Sequence, residues 1–321
     1  METISVAPTH KLEITSSPHI HSQLSTQQAM WFVVIALLPA IISAVVFFGI
    51  YQLLVIGVSC VFTLSTEIAI KKIRKGKITV DDGSAVITGV LLGLVLPPNF
   101  SLSATAIGAV FSIAIGKEIF GGLGFNIFNP ALAGRAFLQA AFPVAMTTWT
   151  KPNFAVDAVT SATPLAAYKF DKVLTNIQPM IIGNTGGAIG ETSAVAVILG
   201  GIFLIVIGIV NWRVPAAMIT GMVLIGGIFW VIEPMKYPNP LFQIFAGGFL
   251  LGAFFMATDW VTSPITKKGM WIFGLCISVL IFIIRTFGGL PEGVMYAILI
   301  MNAFVPIINR YTMPRIFGGS K

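Results

Sequence analysis

Runs of about 20 predominantly apolar residues recur along the whole chain, the length an α-helix needs to cross the hydrocarbon core of a bilayer. Strands of a membrane barrel would instead be about 10 residues long and would alternate polar with apolar positions. The chain is therefore expected to be an all-α polytopic membrane protein. Composition agrees, since 56% of its 321 residues are hydrophobic, 10% are charged and the mean hydropathy is +0.93. A water-soluble domain of this size would lack the polar side chains to cover its surface.

Several function classes fall away on residue counts. Cys60 and Cys276, the two cysteines, lie inside apolar segments and are too few for an iron–sulfur cluster, which takes four ligands. They read as small buried hydrophobes. His10, His19 and His21 all fall in the N-terminal arm, leaving no histidine for a haem or zinc site among the apolar segments. The net charge of +7 is explained by where the bases lie, so no nucleic-acid partner is expected. The first apolar run is too long for a signal-peptide core and lacks a small-residue cleavage pattern, so it is read as a retained helix.

In chain order, helices are expected over Gln28–Ile50, with a kink near Pro39, and over Tyr51–Ile70. The basic run KKIRKGK, Lys71 to Lys77, follows. A third segment, Gly83–Leu96, is only 14 residues long before Pro97 and Pro98, too short to span unbroken. Helix 4 is expected over Leu102–Phe120 and helix 5 from FNIFNPALAGRAF, Phe125 to Phe137. After a long polar loop, helices 6 and 7 cover Ala194–Val210 and Val214–Ile232. The eighth segment, Leu241–Ala257, is again short, and helices 9 and 10 cover Trp271–Phe287 and Gly293–Ile308.

These are about ten segments, and the last five repeat features of the first. Phe120–Phe137 and Phe287–Phe304 align with 7 identities in 18 positions, and each half has a short or broken third member, the third and eighth segments. An odd number of crossings per repeat makes the halves antiparallel, an inverted repeat that places binding sites at the repeat interface. The predicted organisation is a cytoplasmic arm (1–27), a first five-helix repeat (28–143), an outer-face loop (144–192), a second repeat (193–309) and a cytoplasmic tail (310–321). With the N-terminus inside, the cytoplasmic side receives Lys11, the five bases of Lys71–Lys77, Arg213, Lys267, Lys268, Arg310, Arg315 and Lys321. The outer side receives only Lys151, Lys169, Lys172 and Lys236. Basic loops stay in the cytoplasm, so both termini are placed inside and the long loop outside.

That loop holds DAVTSATPLAAYK, Asp157 to Lys169, with Thr160, Ser161 and Thr163 beside an acid. Taken alone, Thr163 followed by Pro164 reads as a helix start, with the threonine as N-cap and the proline at the first helical position. GNTGGAIGETS, Gly183 to Ser193, is glycine-rich but follows no strand and matches no nucleotide fingerprint. It reads as an entry to helix 6 started by Thr192 or Ser193. Asn126, Asn129 and Arg135 are costly in hydrocarbon unless they face protein or ligand. With Phe125 and Phe128 they form either a cofactor wall or ordinary packing between broken helices. Lys117, Glu118 and Arg285 suggest an intramembrane charge cluster. If Glu118 faces Arg285, the two form a structural pair or part of an ion route.

DAVTSATPL resembles the flavin attachment motif of the RnfD and NqrB family of membrane subunits, matched at Asp157, Thr160, Ser161, Ala162 and Thr163. Ser161 stands where glycine is common in that family. GKEIFGGLGFNIFNPALAGRAF, Gly116 to Phe137, and GETS, Gly190 to Ser193 with Glu191 and Thr192, resemble further family signatures in the same order. The short N-terminal arm is more similar to the RnfD branch.

The resemblance implies a urea-transporter-like fold and a flavin-bearing redox subunit of a complex coupling ferredoxin and NAD to sodium or proton export. FMN would be joined to Thr163 through a phosphoester by a separate flavin transferase, making Thr163 a modification site and leaving no catalytic residue of this chain's own. A noncovalent riboflavin is expected as well. Implied partners are an RnfG-like flavoprotein, an RnfC-like subunit carrying the NAD site, the other membrane subunits and the lipid of a bacterial or archaeal cytoplasmic membrane. The competing reading is a urea-transporter-like channel or secondary transporter with no redox role, its path formed by the short third and eighth segments. A purely structural subunit is the third.

Overall fold

The computed structural model describes residues 24–76, 80–152 and 162–314. Asp157, Thr160, Ser161 and most of the N-terminal arm and C-terminal tail lie outside the described residues. Helix starts follow from local chemistry. At α1 (Thr26–Phe48), Ser25 and Gln28 form a reciprocal capping box, the Ser25 hydroxyl accepting from the Gln28 amide at 3.2 Å. α1 runs continuously through Pro39. Gly49, with φ of +87°, supplies the left-handed turn that separates α1 from α2 (Tyr51–Ile73).

α3 (Ser84–Leu94) is short and ends before Pro97, as its length in sequence predicts. α4 (Leu102–Ala114) stops earlier than expected, and residues 115–129 form turns and one 3₁₀ turn at Glu118–Phe120 before α5 (Pro130–Ala141). The glycines at 116, 121, 122 and 124, the last three at positive φ, explain why no helix continues through this stretch. Among its described residues, the loop after α5 contains three short helices, α6 (Pro143–Thr147), α7 (Pro164–Asp171) and α8 (Ile177–Ile182). α9 (Ala194–Ile207) and α10 (Arg213–Ile232) follow. The eighth segment is broken into α11 (Pro240–Phe245) and a single turn, α12 (Phe249–Leu251), that runs into a π-helix at Gly252–Met256. α13 (Lys267–Phe287) and α14 (Val294–Thr312) complete the bundle.

Six described stretches are long and apolar enough to cross a membrane, namely α1, α2, Leu102–Phe120, α10, α13 and α14, and α3 and α9 are shorter apolar helices. Large hydrophobics such as Ile42, Val61, Leu199 and Val206 are exposed on the outside of the bundle, the arrangement expected of a surface solvated by lipid. Within 26–141, α2 packs on α3 and α4, and α4 on α5; within 194–312, α10 packs on α11 and α13, and α13 on α14. The two sets meet through α1 against α9 and α5 against α14. Small residues allow this: a Cβ added to Gly200 on α9 would lie 2.0 Å from the Ala36 carbonyl oxygen on α1.

The ends of the broken segments would leave carbonyls unpaired in an apolar interior, and each end is closed differently. The amides of Ile189 and Gly190 donate to the carbonyls of Leu96 and Leu94, at 3.0 and 2.7 Å, closing α3. For α11, the Arg285 guanidinium donates to the Gln243 carbonyl and, at 2.9 Å, to that of Ala246.

Candidate functional site: a hydroxyl beside buried charge

Thr163 is the N-cap of α7. Its backbone is extended, with φ of −66° and ψ of 156°, and its hydroxyl oxygen accepts from the Ala166 amide at 3.2 Å. Pro164 imposes that extended conformation on the residue before it and occupies the first helical position, where no amide is needed. Thr163 is buried and its neighbour Ala162 is exposed. α7 is pinned by Lys169, whose ammonium donates to the carbonyls of Arg285 at 3.0 Å, Leu290 at 2.9 Å and Gly288. Partial burial, and then the nearby Lys172, push the Lys169 ammonium below the ordinary lysine range. The three carbonyls act in the opposite sense by accepting its protons.

Thr163 stands in the wall between two small cavities. One, with about 460 Å³ of empty space, is lined by Arg135, Gln139, Trp149, Thr163, Glu292 and Tyr296 among others. The other, of about 270 Å³, is lined by Thr163, Gly187, Glu191, Thr192 and Gly247 among others. Arg135 reaches from α5 to the α13–α14 connection, where its Nη2 donates to Glu292 Oε2 at 2.6 Å. Glu191 Oε1 accepts from the Ala188 amide at 2.9 Å. Arg135 Nε, Glu191 Oε2, Glu292 Oε1, Thr192 Oγ1 and Arg285 Nε are buried without hydrogen-bond partners. A buried donor such as Arg135 Nε costs free energy until something accepts from it. An anion carried on Thr163 suits this place, because the cap uses the hydroxyl as an acceptor only and its hydrogen is the atom that esterification replaces. Positive charge on Arg135 and the N-terminus of α7 both favour negative charge there.

At the other end of the bundle lies a larger cavity with about 790 Å³ of empty space, its mouth included. Its walls are largely apolar, with Leu91, Leu123, Phe254 and Phe255, and its polar groups include Thr88, Asn126, Asn129 and Thr258. Asn129 caps α5 through the amides of Ala131 and Leu132, and its own amide donates to Asn302 Oδ1 at 3.3 Å. Asn126 Nδ2 donates to the Phe128 carbonyl at 3.1 Å. The structure thus divides the expected wall in two. Asn126 and Asn129 line the larger cavity, Arg135 lies beside Thr163, and Phe125 is exposed. The three polar side chains are buried in protein, as their cost in hydrocarbon requires.

The expected cluster of Lys117, Glu118 and Arg285 is not formed. Lys117 Nζ instead donates to Glu67 Oε2 at 2.8 Å and to Ser84 Oγ at 2.7 Å, and Glu67 Oε1 also pairs with Lys71. Glu118 faces the basic run, with Arg74 Nη1 donating to its carbonyl at 2.7 Å and lying 4.0 Å from its carboxylate. Arg285 sits in the last turn of α13, beside Thr163's helix, and its terminal nitrogens donate to the carbonyls of Gln243 and Ala246 and to Gln243 Oε1. The early end of α4 causes the difference, since it leaves Lys117 and Glu118 in a turn next to α2 and not in line with α13. Glu67 and Glu292 went unpredicted. Each is a lone acid within or between strongly apolar segments, and that isolation is the signal that marks them. GETS divides its work: Ser193 caps α9 by accepting from the Ala196 amide, and Glu191 and Thr192 face the smaller cavity by Thr163.

Fold and site together define a multi-pass helical membrane protein that presents a buried hydroxyl at a helix start beside a cluster of buried charge. The chain belongs to the NQR2, RnfD, RnfE family, whose model matches residues 13–318. It is 44% identical over 316 residues to the D component of the proton-translocating ferredoxin:NAD(+) oxidoreductase complex of Clostridium ljungdahlii, covering 95% of this chain and 96% of that protein. It is also 44% identical over 314 residues to the D component of the Na(+)-translocating ferredoxin:NAD(+) oxidoreductase complex of Acetobacterium woodii, covering 97% and 96%. The D component of the ion-translocating oxidoreductase complex of Pectobacterium atrosepticum is 35% identical over 344 residues, covering 95% and 98%.

Proposed function

We propose that this chain is a flavin-bearing electron-transfer subunit of a membrane complex that couples electron exchange between ferredoxin and NAD to export of sodium ions or protons. Thr163 carries FMN through a phosphoester, and a noncovalent riboflavin occupies the cavity at the other end, against Asn126 and Asn129. The observation that carries the reading is the setting of Thr163: a capped hydroxyl between two cavities, with an unpartnered guanidinium nitrogen of Arg135 in the same site. A bound flavin supplies the capacity to take and release electrons; the chain supplies position and electrostatics. Arg135 and the start of α7 hold the phosphate, and Glu191 and Thr192 bound the second cavity. Asp157, Thr160, Ser161 and Ala162 serve recognition by the flavin transferase that modifies Thr163.

The matching helix pairings of 26–141 and 194–312 support two inverted five-segment halves, ten segments in all. In this reading the third and eighth segments cross as broken helices whose ends the main chain and Arg285 close. The excess of bases at Lys71–Lys75, Arg213, Lys267, Lys268 and Arg310 supports cytoplasmic termini, with Thr163 on the outer side and the larger cavity toward the cytoplasm. An RnfG-like flavoprotein would meet the Thr163 side, and an RnfC-like NAD-site subunit would exchange electrons through the rest of the complex. The test is flavin fluorescence in a denaturing gel after coexpression with a flavin transferase. A fluorescent band that Thr163→Val abolishes is expected. A band of equal strength in that variant removes Thr163 from the role, and no fluorescence in the parent chain favours a channel or transporter instead.

A further inference from the structure

Glu191 and Glu292 come from different connections, before α9 and before α14, yet their carboxylates converge on the break in the eighth segment and act on each other electrostatically. Each has one oxygen already engaged: Glu191 Oε1 with the Ala188 amide and Glu292 Oε2 with Arg135. The other two, Glu191 Oε2 and Glu292 Oε1, are buried and receive no hydrogen bond. Both free oxygens sit over the same dipeptide at the break in the eighth segment. A Cβ added at Gly248 would meet Glu191 Oε2 at 2.8 Å, and one added at Gly247 would meet Glu292 Oε1 at 3.4 Å. Two ionised carboxylates offer each other only lone pairs, so a bond between them forms only when one of them carries a proton.

Among the described residues no neighbouring donor reaches either free oxygen, and Arg135 Nε, Arg285 Nε and Thr192 Oγ1, all buried nearby, are themselves unpartnered. Arg135, from α5, gives its Nη2 to Glu292 Oε2, and Arg285, from α13, gives its terminal nitrogens to Gln243 and Ala246. Lys169, from α7, is committed to three carbonyls, and Tyr296, from α14, lines the Arg135 side of the site. A metal ion is disfavoured, since no group of three or more His, Cys, Asp or Glu among the described residues converges to hold one. A proton needs only two facing oxygens. We propose that Glu191 and Glu292 together bind a single exchangeable proton in the protein interior beside Thr163. With one proton on the pair and both arginines charged, the site is net positive, which suits the phosphoester anion proposed for Thr163. That electrostatic match rests on the flavin reading above; the presence of the proton does not.

The test is infrared spectroscopy of the full chain in lipid nanodiscs, titrated with pH and repeated in D₂O. A protonated-carboxyl C=O band that shifts in D₂O is expected near neutral pH, and Glu191→Gln and Glu292→Gln should each remove it. Glutamine keeps the shape and, at position 191, the acceptor for Ala188, and a gel-filtration profile matching the parent shows that each variant is folded. Thr163→Val should retain the band, which separates failure of the flavin assignment from failure of the proton site. A band that survives both glutamine variants would assign the proton elsewhere and overturn the proposal. Loss of the parent's band on replacing KCl by NaCl at constant pH would also overturn it, since the pair would then hold sodium.

Discussion

Arg135 and Glu292 stand 157 positions apart in sequence and are joined by a 2.6 Å ion pair that ties α5 to the connection entering α14. Arg135 is buried and Glu292 only partly exposed, so removing one partner leaves the other poorly solvated. Arg135→Leu is expected to destabilise the folded chain by about 3–5 kcal/mol. Arg135→Lys should lose less, because it keeps the charge and forfeits the planar fork. Thermal unfolding in detergent, followed by intrinsic tryptophan fluorescence, measures both.

Lys117 and Glu67 make a second buried pair, at 2.8 Å. If it is structural, Lys117→Met and Glu67→Gln should each lower thermal stability, whereas the double variant should recover much of the loss because both charges of the buried pair are gone and Lys71, the other partner of Glu67, is partly exposed. The same double variant in the assembled complex should keep ion export. Export abolished in a stable double variant would make the pair part of the ion route.

At Thr163, capping and modification separate by chemistry. Thr163→Asn keeps a side-chain acceptor for the Ala166 amide and removes the hydroxyl, so it should unfold close to the parent and carry no flavin. Thr163→Val should lose both, with about 1 kcal/mol taken from the start of α7. Thr163→Ser should keep both. Gel fluorescence and a melting curve on the three proteins decide the matter, and flavin on the asparagine variant would contradict it.

Gly200 fixes how closely α1 and α9 approach. Its added Cβ would lie 2.0 Å from a backbone oxygen, which cannot rotate away as a side chain can. Gly200→Ala should therefore cost about 1–3 kcal/mol through forced separation of the two helices. By contrast Gly57→Ala, with open space around the new carbon, should be neutral or slightly stabilising through helix propensity. Parallel melting curves give the comparison.

The helices were legible because bilayer length and hydropathy act on each segment by itself. Their starts were legible where Asn129, Thr163 or Ser193 precedes an apolar run, since capping is a contact of two to three residues. The breaks in the third and eighth segments showed as short length. What the sequence concealed is pairing across long separation. Nothing near Lys117 indicates Glu67 rather than Glu118, and nothing near Arg285 indicates the carbonyls of α11. The early end of α4 depended on a glycine series whose positive φ angles appear only once the turn is built. Glu191 entered through a motif, while Glu292, which completes the site, had only its isolation to mark it.

Lys169 places three carbonyl contacts between α7 and the end of α13, and Pro164 stiffens the residue before it. Thr163 is consequently held at two points of the scaffold and does not ride on a free arm. A redox group attached there would be fixed in height and azimuth relative to the bundle, and its swing would be limited to its own bonds. Electron exchange with a neighbouring subunit would then be timed by the arrival of that subunit's carrier, with this chain acting as a stationary relay.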